Sequence, residues 1–196
     1  MLMDRLPSFV RENYQCAEWH HASAVLEGDH PKEWQDLMDV LAHFRLRKSH
    51  IAIGGGSKTK VAAMIDDFLE ARDWAETRFD TKFVVDEKVT ETPTHKIDMF
   101  KNSVAVEIEW NNKDPFFDRD LNNFRLLHGL RTVSVGVIIT RSDELQEIFK
   151  SLGRGSSYGN STTHMSKLLP RIEGGGAGGC PILVFGIKPS LYRENE

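Results

Sequence analysis

Residues 97–110, Ile-Asp-Met-Phe-Lys-Asn-Ser-Val-Ala-Val-Glu-Ile-Glu-Trp, constrain the fold of this chain more than any other segment. Side chains alternate faces along a strand, so Val104, Val106, Ile108 and Trp110 point one way and Ala105, Glu107 and Glu109 the other. One face is apolar enough to lie on a core, and the other carries two carboxylates. A two-residue hairpin turn at Lys101 and Asn102 sets Phe100 opposite Ser103 and Asp98 opposite Ala105, which brings Asp98 diagonal to Glu107 on the acidic face. Two explanations compete for this triplet. Acidic residues keep an edge strand soluble. Alternatively, the like charges raise one another's pKa and call for a cation to neutralise them.

The elements around this segment alternate between helix and strand. Trp34, Leu37, Met38, Leu41 and Phe44 repeat at three and four after Pro31, with Asp29 as the expected N-cap. A second helix is expected over residues 57–74. Strands follow at Phe79 and residues 83–85, where the core sheet is expected to begin, and then in the acidic segment itself. Residues 114–130 read as a helix with Asp114 as N-cap and Phe117, Leu121, Phe124 and Leu127 on one side. The β-branched run at residues 132–140 reads as a central strand. Ser142 is the expected cap of a helix to Leu152, Asn160 or Ser161 that of a helix over residues 161–172, and residues 181–187 close the sheet. The glycine run at residues 174–179 reads as a flexible loop and the tail from Ser190 as frayed. The expected fold class is α/β, a mixed central β-sheet flanked by helices. One domain is expected over residues 1–196, with an N-terminal segment at 1–30, a core at 31–189 and a tail at 190–196.

Composition narrows the function classes. The chain has 196 residues, 40% of them hydrophobic, which is enough for a substantial core, and 28% charged. No run approaches the roughly 18 apolar residues of a membrane span, so a membrane protein is excluded. The first residues lack the basic start and apolar stretch of a secretion signal, and the expected location is cytoplasmic. Cys16 and Cys180 lack the spacing of a disulfide framework or zinc site, and nothing of ligand type joins His20, His21 and His30.

Net charge is −4, yet the only charged side chains between Val40 and Ile65 are Arg45, Arg47, Lys48, Lys58 and Lys60. Residues 54–60, Gly-Gly-Gly-Ser-Lys-Thr-Lys, invite a phosphate-loop reading, but the spacing is wrong for nucleoside triphosphates. A DNA phosphate held at this helix start suits the same amides and lysines better. The carboxylates point the same way. All-oxygen ligands without Cys or His suit magnesium, which keeps waters and shares its shell with substrate phosphate. The implied chemistry is phosphoester hydrolysis.

Asp98, eight residues, then Glu107-x-Glu109 on an apolar strand resembles the variant PD-(D/E)xK nuclease motif. The surroundings resemble restriction endonucleases of the BglII/BstYI type over roughly residues 51–187. The likeness runs through Val-Ala-Val-Glu-Ile-Glu, the loop with Phe116 and Phe117, the strand at 133–140, the Ser-Ser-Tyr-Gly-Asn-Ser loop and the Pro-Ile-Leu-Val-Phe-Gly-Ile strand. The resemblance implies a homodimeric, Mg2+-dependent type II restriction endonuclease that cuts double-stranded DNA at a short palindrome, in this family often GATC-centred, leaving 5′-phosphates. A companion DNA methyltransferase protecting the same site is part of that implication.

By motif position Asp98 and Glu107 are the implied acidic metal ligands, joined by the Ile108 carbonyl. Glu109 stands where most such enzymes carry Lys and BglII-type enzymes carry Gln. A carboxylate there accepts a proton from water or holds a second metal, and BamHI-type enzymes with Glu are active. By position, Asn111, Asn112 and Lys113, and Tyr158, Asn160, Ser161 and Thr162, are the implied sequence-reading residues. Lys48, Lys58 and Lys60 join Lys113 as expected phosphate contacts, and Arg45 and Arg47 add to the basic potential. Rival readings are a catalytically inactive DNA-binding relative, a less specific repair or modified-DNA nuclease, and an NTPase.

Overall fold

The computed structural model describes residues 1–52 and 58–194. The glycines of the 54–60 motif lie outside the described residues. In chain order the elements are α1 (Leu2–Arg5), α2 (Ser8–Asn13), β1 (Tyr14–Trp19), α3 (Ala22–Asp29), α4 (Pro31–His43), β2 (Leu46–Arg47), α5 (Lys48–Ala52), α6 (Lys60–Glu70) and β3 (Ala75–Thr77). There follow β4 (Asp80–Val85), β5 (Lys88–Pro93), β6 (Ile97–Lys101), β7 (Val104–Ile108), α7 (Phe116–Gly129), β8 (Val135–Arg141), α8 (Gln146–Ser151), α9 (Met165–Glu173), β9 (Ile182–Ile187) and β10 (Tyr192–Arg193).

Six of the strands form one mixed sheet in the order β1-β9-β8-β7-β6-β3. β7, β8 and β9 run parallel, and β1, β6 and β3 attach antiparallel. The expected α/β class and the helix-flanked mixed sheet are what the structure shows. β7 lies between β6 and β8 and is buried on both faces, so it is not an acidic edge strand.

Strand alternation sorts the side chains into two cores. Val104, Val106, Ile108, Val137, Ile139 and Phe185 face one layer with residues of α2, α4 and α6. Ala105, Ile138, Ile182 and Val184 face the other, with Phe117, Leu121 and Phe124 of α7 and Met165 and Leu168 of α9. Gly136 permits this second contact. A Cβ there would lie 2.5 Å from the Phe124 ring, so α7 rests on bare backbone.

Several boundaries differ from the sequence reading for identifiable reasons. The core sheet starts at β1, inside the N-terminal segment, where Tyr14 through Trp19 pair with β9. The strand at residues 83–85 belongs instead to a separate β4–β5 ribbon with exposed Val84, Val85 and Val89. The hairpin between β6 and β7 turns at Asn102 and Ser103, not at Lys101 and Asn102. Their φ angles of 44° and 65° give both central residues the left-handed conformation that a tight hairpin needs, which Asn adopts more readily than Lys. Lys101 pairs with Val104 and donates to Asp36 at 2.9 Å.

Capping differs too. His30, not Asp29, precedes α4, and Pro115, not Asp114, precedes α7. His164, not Asn160 or Ser161, precedes α9. Thr59 caps α6 by accepting the Ala62 N–H at 3.1 Å. Ser142 does precede a 3₁₀ turn leading to α8, but its hydroxyl makes no capping bond. The tail is not frayed at Ser190, because Tyr192 and Arg193 pair with Leu46 and Arg47. Both cysteines are free thiols. No described helix is long and apolar enough to cross a membrane.

Candidate active site

The corrected hairpin register changes the relation of the first two carboxylates. Met99 stands opposite Val106, so one step further Asp98 faces Glu107 directly rather than diagonally. The Asp98 N–H donates to Glu107 Oε2 at 3.4 Å, and the Ile108 N–H donates to Asp98 Oδ2 at 2.9 Å. Glu107 has no exposed surface, and its Oε1 has no hydrogen-bond partner. Burial, reinforced by Asp120, Asp98 and Glu109, pushes its pKa well above the ordinary carboxylate range. Burial also raises Asp98, against the Ile108 N–H that favours its ionised form.

Glu109 continues the strand's geometry beyond β7. Its N–H donates to the Ile139 carbonyl at 2.9 Å, and its own carbonyl accepts the Thr140 hydroxyl at 2.7 Å. The side chain accepts from Asn112 Nδ2 at 2.7 Å and from Arg119 at 3.3 Å. Arg119 bridges onward to Asp120, with Nε 2.9 Å from Oδ1. Burial first, and then the neighbouring Asp120, raises Glu109 to about 9.

Two further acids complete the site, and sequence reasoning missed both. Asp120 is fully buried on α7, with Oδ2 unpartnered and a pKa raised to about 6 by burial. Its signal was present: it falls three residues after Phe117 and four before Phe124, on the apolar face. Asp66 of α6 is 2% exposed, pairs with Lys58 at 2.5 Å and keeps Oδ1 without a partner. Burial raises it to about 6, with Lys58 opposing. It sits beside Ile65 and three residues before Leu69, again among the buried positions of its helix.

Asp66, Asp98 and Glu109 line a cavity of about 480 Å³ that opens between α6, the β6–β7 hairpin and α7, while Glu107 and Asp120 are fully buried outside its lining. Lys58 and Arg119 are the cations in its wall, facing Asp66, Glu70, Glu76, Asp98 and Glu109. Ile108 and Asn112 also line it. Three buried carboxylate oxygens without partners, on Asp66, Glu107 and Asp120, are costly as they stand, and a hard cation satisfies such oxygens. As placed, no set of three acidic, His or Cys side chains among the described residues forms a closed metal cage. Glu109 is turned to Asn112 and Arg119, which leaves Asp98 and Glu107 as the available pair. One or two carboxylates completed by water and phosphate is the usual shell of magnesium.

The remaining expected contacts divide. Asn111 is half-buried with Oδ1 unpartnered, and Lys113 is exposed and bridged to Thr162. Asn160 and Ser161 are exposed. Tyr158 is 5% exposed, stacked on Phe149 at 4.1 Å, with its hydroxyl accepting from Trp110 Nε1. Thr162 is buried and accepts from Arg141 at 2.7 Å. Lys60 is exposed on α6 outside the cavity lining. Lys48 pairs with Glu194 near the β2–β10 pair, and Arg45 lies over the Phe9 ring. The basic segment is therefore dispersed, and Arg119, unremarked in the sequence, supplies the cation nearest Glu109.

No curated protein matches the chain. The sequence does match the family described as restriction endonuclease BglII/BglIII over residues 14–187, a span that opens at β1 and closes with β9. With most of its length covered, the chain belongs to the BglII/BglIII restriction endonuclease family.

Proposed function

We propose that the chain is a type II restriction endonuclease that hydrolyses both strands of duplex DNA at a short palindrome, using Mg2+ and acting as a homodimer. The observation that carries this reading is the directly opposed Asp98–Glu107 pair, with Asp98 lining an open cavity and Glu107 buried beside it with one oxygen unpartnered, in a chain of this family. Asp98 and Glu107 would hold the ion, with the Ile108 carbonyl at the same strand end. A bound divalent cation supplies Lewis acidity toward the phosphate and acidifies a water.

The protein's own groups do the rest. Glu109, with a pKa near 9, holds its proton at neutral pH until a cation lowers that value. Once ionised it is the acceptor for a proton leaving an attacking water. Asn112 and Arg119 fix its orientation. Arg119, partly exposed on the cavity wall, and Lys58 are placed to contact phosphate oxygens. Ser161 is the exposed candidate for a base edge, since a hydroxyl both donates and accepts. A GATC-centred site, 5′-phosphate ends and a companion methyltransferase complete the proposal.

Digestion of unmethylated plasmid and phage DNA with purified protein, in magnesium or in EDTA, tests it. Discrete magnesium-dependent fragments with a common end sequence are expected. Binding without cleavage in any divalent metal would favour a catalytically silent DNA-binding relative, and a ladder without common ends a less specific nuclease.

A further inference from the structure

The sheet end that bears the carboxylates on one face bears a cation on the other. Arg141 closes β8, one residue after Thr140, whose hydroxyl bonds the Glu109 carbonyl. Alternation turns it to the face of Val137 and Ile139, where its guanidinium lies 5.3 Å from the Phe149 ring centroid and 5.8 Å from that of Tyr158. Arg141 is 1% exposed. A guanidinium so deeply placed ordinarily meets a carboxylate. No ion pair to Arg141 occurs among the described residues; instead Nη2 donates to the Tyr158 carbonyl at 3.1 Å and to Thr162 Oγ1 at 2.7 Å, and Nε has no partner. Burial lowers its pKa only to about 10, so the charge persists at neutral pH.

This cation lines a second cavity, of about 190 Å³, with Asp143, Gln146, Asn160 and His164. Asp143 is the group that would oppose an anion, but its carboxylate is already engaged. It accepts the Ser166 N–H at 3.0 Å and the Ser166 hydroxyl at 2.7 Å, and it pairs with His164 Nδ1 at 2.7 Å. Ser142 and Thr163, adjoining these residues in sequence, carry buried hydroxyls without partners. The orphaned groups of the active site are carboxylate oxygens, whereas the one on a residue lining this cavity belongs to a guanidinium. The two sites therefore ask for ligands of opposite charge.

We infer that the Arg141 cavity seats one oxyanion, a phosphodiester of the DNA backbone away from the scissile position. The assignment of DNA as the source rests on the endonuclease reading; free orthophosphate offers the same chemistry. A phosphate suits the cavity better than a base edge does. Its oxygens project from the duplex and enter a recess, whereas the flat edge of a paired base reads only side chains that protrude. The seat is also joined to the active site. The Thr163 N–H donates to the Asn112 carbonyl at 2.9 Å, the Asp114 N–H donates to the Ser161 carbonyl at 3.1 Å, and Asn112 holds Glu109.

Two measurements on the full chain separate the cavity from the source of its ligand. In the first, thermal unfolding is followed with inorganic phosphate against chloride at matched ionic strength. Phosphate raises the midpoint of the native protein and not that of Asn160→Asp, which sets a carboxylate at the cavity wall; no shift in the native protein overturns the site. In the second, DNA affinity is measured in EDTA across a salt series for the native protein, Arg141→Met and Asn160→Asp. Losing one phosphate contact reduces the slope of log affinity against log salt by about one, with equal weakening on all sequences. If Arg141→Met does not fold, Asn160→Asp carries this test. An unchanged slope, or a loss confined to one base pair, overturns the backbone assignment. A native protein that fails to bind DNA yet is shifted by phosphate refutes the endonuclease reading while upholding the seat for free phosphate.

Discussion

Glu107 is held where a carboxylate is costly, in an interior strand with an unpartnered oxygen, and that cost identifies it. Asp98→Ala or Glu107→Ala is expected to lower cleavage by at least about a hundredfold, the scale of losing one electrostatic contact to the transition state. Glu107→Gln keeps the shape and removes the charge. We expect it to stabilise the metal-free protein at pH 8 by about 1–3 kcal/mol in denaturant unfolding, as replacing buried ionic groups often does; destabilisation would mean that Glu107 is satisfied by contacts other than a cation. The pH dependence has a definite direction. The folded protein holds Glu109 protonated up to about 9, against an ordinary value of 4.5, and Asp66 and Asp120 up to about 6, against 3.8. Folding therefore binds protons. The resulting stabilisation is complete below pH 4, shrinks between about pH 4 and 6 as the two aspartates ionise, and continues to shrink toward pH 9 through Glu109. Thermal unfolding in EDTA at pH 5, 7 and 9 should show this decline, and magnesium should stabilise most at the alkaline end; a metal effect independent of pH would contradict it.

At the scale of elements, the site is made by bringing α7 close to a strand that lacks a side chain. Gly136→Ala would put a methyl 2.5 Å from the Phe124 ring and displace α7, and with it Asp120 and Arg119. We expect a loss of about 1–3 kcal/mol in stability, the usual cost of overpacking, together with reduced cleavage. Unaltered activity with lowered stability would separate α7's position from catalysis. The same scale shows what was legible in the sequence. Alternation along 104–110 assigned each side chain to its face, because a period of two is fixed by backbone geometry. The hairpin register was misplaced by one turn position, since Lys-Asn and Asn-Ser are both acceptable to the eye. Only backbone conformation decides that Asn102 and Ser103 take positive φ. Asp120 and Asp66 were hidden by their helices: an acid within an apolar stripe reads as a boundary until the facing strand shows that both sides are covered. β1 was unread because its pairing with β9 is a contact across most of the chain's length.

For the whole molecule, the net charge of −4 and the acidic main cavity mean that DNA is held by few, placed cations and not by a general field. Affinity should therefore fall with salt along a shallow slope set by the small number of placed contacts, with Lys58, Arg119 and Lys113 as contributors. Replacing Lys113, exposed and outside the cavity lining, by Ala should weaken binding to all sequences alike and reduce the salt slope by about one; a change in site preference would instead assign it to base reading. A symmetric protein matches a symmetric site, so light scattering should give twice 22.3 kDa. A monomeric mass in the presence of uncut site DNA would contradict the palindromic reading.

The measurement closest to the central claim is single-turnover cleavage by Asp98→Asn and Glu107→Gln beside the native protein, with DNA binding in EDTA measured on the same samples. If the opposed pair is the catalytic centre, both variants bind DNA as the native protein does or more tightly, and neither cuts in magnesium. Cleavage at the native rate by either variant would place the chemistry elsewhere in the molecule.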